Sequence, residues 1–165
     1  MMASIFGDLP FVLVYLDDVL IVSRTAEEHE EHLKIVFDHF RDNKLFAAKK
    51  KVMLFQCKVD YLGYLLTPEG VATNPQKIET IQKWPTPRNA KEVQMLLGAF
   101  GFYRRFIPNY AQVALPLTEL TKKENVFCWT ERCENALKQM KRLMTSAAVL
   151  RIFDPTLPTF LVTDA

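Results

Sequence analysis

Although 49% of its 165 residues are hydrophobic, the sequence has no run of the roughly 18 apolar residues that a bilayer-spanning helix needs. Its amino-terminal stretch, MMASIFGDLP, lacks the basic segment and long apolar segment of a secretory signal. A chain without membrane partners and with an intracellular destination is expected. Cysteine is scarce: Cys57, Cys128 and Cys133 are odd in number and show no CxxC spacing. That excludes a disulfide framework and a zinc knuckle, and it implies reduced thiols in a cytoplasmic or nuclear compartment. Internal repeats and low-complexity tracts are missing as well. Net charge is only +2, but the charge is unevenly spread. Residues 71–123 hold eight Lys or Arg against three Glu, whereas residues 1–60 hold eight basic against ten acidic residues. A polyanion, if one binds, should touch the middle segment; a plain solvated face is the competing reading.

What is present is a sheet-rich first part and a helical remainder, so the fold class is α+β. Residues 11–15 and 19–22 read as an antiparallel hairpin. Thr25 and Glu28 form a capping box for a helix that reaches about Asn43, with Leu33, Val36, Phe37 and Phe40 as its apolar stripe. Short strands are predicted at 52–55, at 59–64 and across the turn at 68–70, giving residues 1–73 the look of one sheet under helical cover. Asn74 and Pro75 start a helix that Pro85 ends. Asn89 and Glu92 start another, with Val93, Leu96, Leu97 and Phe100 buried. Residues 110–121 are predicted helical, bent or split by Pro116. A last helix spans 130–144 on Cys133, Leu137, Met140 and Leu143 or Met144, and FLVTDA closes the chain as a strand.

The point of chemical interest is FVLVYLDDVLIVS, in which Asp17 and Asp18 stand between two apolar runs. Aspartate tolerates turn dihedrals, so a mere turn is one reading. Against it, hairpins favour Asn-Gly or Asp-Gly, and two adjacent carboxylates repel unless a cation lies between them. Carboxylates on rigid strand ends are what Mg²⁺ takes as ligands, and paired metal ions are the standard device of phosphoryl transfer.

YLDD in this setting resembles the catalytic hairpin of reverse transcriptases. The ordered set EEHEEHLKIVFDHFRDNKL, VDYLGYLLTPEGV, KIETIQKWPTP, LLGAFGFYRRFIPNYA, PLTELTKK, FCWTERCENALKQMK and FLVTDA resembles Ty3/gypsy-type retrotransposon polyproteins over nearly the whole chain. The resemblance implies the C-terminal part of a polymerase palm at 1–73, a thumb at 74–123, and a linker with the first helix and strand of an RNase H-like domain at 124–165. It implies RNA-directed DNA polymerase activity, nucleotidyl transfer to a primer 3′-hydroxyl, with Mg²⁺ or Mn²⁺ as cofactor. Asp17 would be the firm metal ligand and Asp18 the weaker one, with Tyr15 and Leu16 against the primer end and incoming nucleotide. Lys51 aligns with a lysine near a proposed proton donor to the leaving pyrophosphate, though a solvated basic loop fits it equally. Leu62, Gly63 and Tyr64 match the primer grip, where glycine would let a phosphate approach; a plain hairpin glycine would look the same. Gln94, Gly98 and Phe102 share one helix face, which in retroviral thumbs tracks the minor groove of the duplex, and Lys91, Arg104 and Arg105 would meet phosphates; a pure packing stripe is the competing reading for Phe102. Asp164 matches one RNase H metal ligand. The third metal-binding palm aspartate and the fingers have no counterpart in these 165 residues, so the chain alone is expected to be inactive and to self-associate through its incomplete sheet. Expected partners are an RNA/DNA template–primer duplex, deoxynucleoside triphosphates and the rest of a polyprotein. The alternative is a non-catalytic module that binds nucleic acid or protein.

Overall fold

The computed structural model describes residues 2–122, 124–146 and 150. It divides into two compact units, Met1–Cys57 and Lys58–Ala165.

In the first unit, helix α1 (Met2–Phe6) precedes a two-stranded hairpin, β1 (Val12–Tyr15) and β2 (Asp18–Ile21), and a long helix, α2 (Ala26–Asp42). The strands pair antiparallel with Val12 opposite Ile21 and Tyr15 opposite Asp18, leaving Leu16 and Asp17 as the loop. Alternation puts Val12, Val14, Val19 and Ile21 into a core with Phe6 and Val36. Leu13 and Tyr15 face outward. Thr25 caps α2 as the sequence predicts, accepting the Glu28 amide; the Glu28 carboxylate reaches one residue further back, to the Arg24 amide at 2.6 Å. Those backbone bonds hold the Glu28 carboxyl below the usual carboxylate range. The Ser23 hydroxyl joins Nδ1 of His29 (3.0 Å) and of His32 (2.8 Å), and Phe11 stacks on the His32 ring at 3.6 Å, tying the hairpin to α2.

The second unit opens with an antiparallel meander, β3 (Val59–Tyr61), β4 (Tyr64–Thr67) and β5 (Gly70–Thr73), followed by α3 (Pro75–Gln82), α4 (Ala90–Phe102), α5 (Tyr110–Glu119) and α6 (Glu131–Thr145). The four helices share one core. Phe100, Leu96, Leu117 and Met140 are fully buried in it, each contributing about 1.5–3 kcal/mol through the hydrophobic effect. Leu150 forms an antiparallel bridge with Val71 on β5. Lys141 donates to the carbonyls of Gln82 (3.0 Å) and Trp84 (2.6 Å), closing the end of α3; the burial this requires lowers its pKa.

Four expectations need correction. Residues 52–55 are not a strand; the segment follows a 3₁₀ turn of three lysines, Lys49–Lys51, and pairs with nothing among the described residues. High β-propensity there has no partner edge to satisfy it. Residues 1–73 do not form one sheet, since the two ladders are separate. Phe37 lies on the exposed side of α2. Pro116 does not split α5, which runs unbroken through it. Helix α1 escaped the sequence reading because five residues are too few to show a period. Helix α6 shares the core of α3–α5, whereas sequence alone set 124–165 apart. The predicted closing strand, with Asp164, lies outside the described residues.

Asn74 is the buried polar residue among the described residues of the second unit. Its Oδ1 accepts from the Gln76 and Lys77 amides, capping α3, and its Nδ2 donates to Asp60 on β3 at 2.9 Å. Asn74→Ala should cost about 1–2 kcal/mol of stability, the upper range for a lost N-cap, measured as a lower urea midpoint with unchanged slope.

Candidate nucleic-acid interface

Two sets of residues deserve comparison, one in each unit. In the first, the loop Leu16–Asp17 joins β1 to β2, and Asp18 begins β2 opposite Tyr15. Leu16 has φ 52°, a left-handed conformation that costs an L-residue about 1–2 kcal/mol. Its side chain is 75% exposed, so among the described residues little packing offsets that cost. Both carboxylates are exposed. Their oxygens are the hard donors that Mg²⁺ or Mn²⁺ accepts. Among the described residues, however, no group of three His, Cys, Asp or Glu side chains could hold a metal ion. The donor chemistry fits; the donor set is a pair. Lys51 ends the exposed 3₁₀ turn, its amide bonded to Ala48 O at 2.7 Å.

In the second unit the structure brings together two stretches that the sequence offered separately. Leu62 (φ 50°) and Gly63 (φ 82°) form the two-residue turn between β3 and β4, with Tyr61 opposite Tyr64. Positive φ at both loop residues matches the strand twist of a tight hairpin. This turn meets the C-terminal end of α4. Tyr64 donates to Phe102 O at 3.1 Å, and Tyr103 donates to Gly63 O at 2.8 Å. Tyr64 and Phe102 stack with centroids 4.8 Å apart and planes at 15°. Burial pushes the Tyr103 hydroxyl above its ordinary pKa. The glycine has an internal reason: a Cβ on Gly63 would lie 3.0 Å from Phe102 Cζ.

Along α4, Val93, Leu96 and Phe100 face the core, and Lys91, Gln94, Met95, Gly98 and Phe102 face solvent. Asn89 caps the helix through the Glu92 amide. Beyond its chain neighbours and its own helix backbone, nothing among the described residues lies within 4 Å of where a Gly98 Cβ would stand. A glycine in an exposed helix interior costs roughly 1 kcal/mol relative to alanine, and the chain itself does not use the space. Met95, 56% exposed beside this gap, belongs to the face and was missed in the sequence, where a methionine within an apolar run reads as core. Arg104 and Arg105 form the exposed 3₁₀ turn that follows. Among the described residues the ion pairs of Lys and Arg are Lys34–Glu30, Arg41–Asp38, Lys83–Glu79 and Lys138–Glu134. Arg88, Lys91, Arg104 and Arg105 take part in none of them, and Glu92, the one acid in 88–105, accepts from the Arg88 amide and the Asn89 side chain.

A polar depression of about 570 Å³ between α5 and α6, lined by residues such as Gln112, Arg132 and Gln139, includes no member of either set.

Residues 1–66 match the family model described as reverse transcriptase (RNA-dependent DNA polymerase). The chain is 36% identical over 155 residues to the retrovirus-related Pol polyprotein from transposon 297 of Drosophila melanogaster. It is 33% identical over 154 residues to the transposon Tf2-3 polyprotein of Schizosaccharomyces pombe. It is a reverse transcriptase region of the LTR-retrotransposon polyprotein family. Each alignment covers 93% of this chain but only 14% and 12% of the respective polyproteins. Among solved structures, the foamy viral protease-reverse transcriptase superposes with TM-score 0.87 in a complex with double-stranded DNA, and 0.83 in a complex with an RNA/DNA hybrid. Identity is 29% in both, covering 93% and 91% of this chain and 27% and 21% of theirs. The family match takes in the aspartate hairpin; the likeness to solved structures extends over the helical unit.

Gly63→Ala should destabilise the second unit by at least about 1 kcal/mol, because it adds a left-handed alanine and a clash with Phe102. Differential scanning calorimetry would show this as a lower Tm, with the first unit's transition unchanged if the two melt separately.

Proposed function

We propose that this reverse transcriptase region holds a template–primer duplex on the exposed face of α4. Gly98 carries the reading, as an exposed helical glycine whose open space the chain leaves unused. A groove edge could approach the backbone there, with Gln94 bonding base edges and Met95 and Phe102 packing on sugars. Arg104, Arg105 and Lys91, free of ion pairs among the described residues, suit phosphates. The Leu62–Gly63 turn and Tyr64 continue this surface in the manner of a primer grip. The foamy viral relatives bound to double-stranded DNA and to an RNA/DNA hybrid support the same ligand class.

For the aspartate hairpin we propose the family's activity, transfer of nucleotides to a primer 3′-hydroxyl, in a longer polyprotein within the cell. Asp17 and Asp18 would contribute oxygen ligands to Mg²⁺ or Mn²⁺, which when bound neutralises charge on the reacting phosphates. Tyr15 and Leu16 flank those ligands on the same hairpin, where primer end and deoxynucleoside triphosphate would lie. Lys51 would serve as a nearby cation. The palm, thumb and RNase H assignments at 1–73, 74–123 and 124–165, and Asp164 as an RNase H ligand, belong to this proposal. A second reading, a binding module without catalysis, has one observation in its favour: the described residues offer the metal only a pair of carboxylates.

Fluorescence anisotropy with a labelled RNA/DNA hybrid across a salt series tests the interface. Changing both Arg104 and Arg105 to Ala should reduce the slope of log affinity against log salt by about 1.4–1.8, as roughly 0.7–0.9 is lost per phosphate contact. Gly98→Ala should raise the thermal stability of the second unit while weakening binding, opposite signs that a purely structural glycine cannot produce. Asp17→Asn should leave metal-free binding unchanged. If the arginine pair and Gly98 variants bind like the parent, the face is only solvated helix. The 165-residue chain alone should extend no primer in Mg²⁺; extension that disappears in Asp17→Asn would overturn the expected inactivity.

A further inference from the structure

We infer that Tyr103 is a positioning residue for this interface. It locks the Leu62–Gly63 turn to the end of α4, so that turn and helix face present one rigid surface to the duplex. The inference rests on the duplex-binding reading above and adds to it a residue that does not itself touch nucleic acid.

Tyr103 is 4% exposed, which removes it from direct contact with a ligand. Its hydroxyl donates to the Gly63 carbonyl, a group in the middle of a two-residue loop. In return Tyr64, the first residue after the loop, donates to the carbonyl of Phe102, the last residue of α4. The two bonds run in opposite directions between the same two elements, so the turn can neither slide along the helix nor lift from it without losing both. Three ring contacts fill the space between them: Tyr64 on Phe102, Tyr103 edge-on to Phe102 at 4.8 Å and 83°, and Tyr103 edge-on to Tyr64 at 5.8 Å and 84°. Phe102, half exposed at 47%, thus has one side against Gly63 and Tyr64 and another open to the α4 face. It belongs to both halves of the surface. A ligand spanning both meets groups whose relative placement is already set, which lowers the ordering cost of binding.

Tyr110 supplies a matched control. It is a half-buried tyrosine whose hydroxyl likewise donates to a backbone carbonyl, that of Leu97 on α4 at 3.2 Å, but it holds no part of the turn. Tyr103→Phe and Tyr110→Phe would therefore be compared in the 165-residue chain, keeping each ring and deleting one hydroxyl. Two readouts apply: amide hydrogen exchange at Leu62, Gly63 and Tyr64, and anisotropy with a recessed-primer hybrid duplex across salt. Tyr103→Phe should speed exchange at the turn and weaken binding by about fivefold, the equivalent of one ordinary hydrogen bond. Its salt slope should match the parent's, since no phosphate contact is lost. Tyr110→Phe should change neither readout. Equal effects from the two variants, or unchanged turn exchange in Tyr103→Phe, would overturn the inference while leaving the interface standing. Failure of the parent chain to bind would instead overturn the functional reading, and this inference with it.

Discussion

The second unit depends on the exchange of two tyrosine hydrogen bonds between a hairpin turn and a helix end. Each bond answers a need created by backbone geometry. The last carbonyls of α4 have no acceptor role left inside the helix, and Tyr64 supplies a donor to that of Phe102. The tight turn places Leu62 and Gly63 at positive φ, a conformation costing about 1–2 kcal/mol for the leucine, and Tyr103 anchors it. The chain joins a strained loop to an unfinished helix and satisfies both. Aromatic packing of Tyr64, Phe102 and Tyr103 surrounds the two bonds. Asn74 repeats the device at the other end of the meander, capping α3 while bonding Asp60 on β3. The sheet is thus pinned to helices at both its turn and its exit.

A different principle governs the outer surface. Charges on α2, α3 and α6 are paired along the helix at spacings of three or four residues, as in solvated helices generally. The stretch 88–105 departs from this, because its one acid is spent on capping and its four cations lack a carboxylate partner among the described residues. Such a concentration of like charge works against the folded unit. Pairing it with an external polyanion removes that penalty, which is why the charge pattern and the open glycine support the same ligand class from independent directions.

Much of this was legible in the sequence. The caps at Thr25, Asn74 and Asn89 fixed three helix starts because a side-chain acceptor near orphan amides has a recognisable spacing. The buried stripe of α4 and the placement of Gln94, Gly98 and Phe102 on one face followed from helical period, whereas period left Phe102 open to a packing role and the structure leaves it half exposed. Residues 52–55 misled because β-propensity measures fitness for a sheet and cannot supply the neighbouring strand. The Tyr64–Phe102 and Gly63–Tyr103 contacts were out of reach, since they join residues about 40 positions apart with no local signature. Gly63 shows the limit best. Sequence left it open between phosphate approach and hairpin geometry, and the structure adds a third cause, the Phe102 ring occupying the place of its side chain.

Leu16 bears on the choice between polymerase and binding module. A hairpin shaped for stability alone would place glycine, asparagine or aspartate at a loop position of positive φ. This one places an exposed leucine there and adjacent carboxylates after it. Both choices raise the energy of the isolated hairpin, the first by backbone strain and the second by charge repulsion, and among the described residues no ion pair or buried packing offsets either. Strain held at an exposed loop next to paired acids is what a site organised around an external cation and substrate would retain. A surface serving only to bind a polyanion gains nothing from it, because two carboxylates repel phosphate. The hairpin therefore favours the proposed catalysis over a surface that only binds, and the proposed duplex binding on the cationic face of α4 is compatible with both readings.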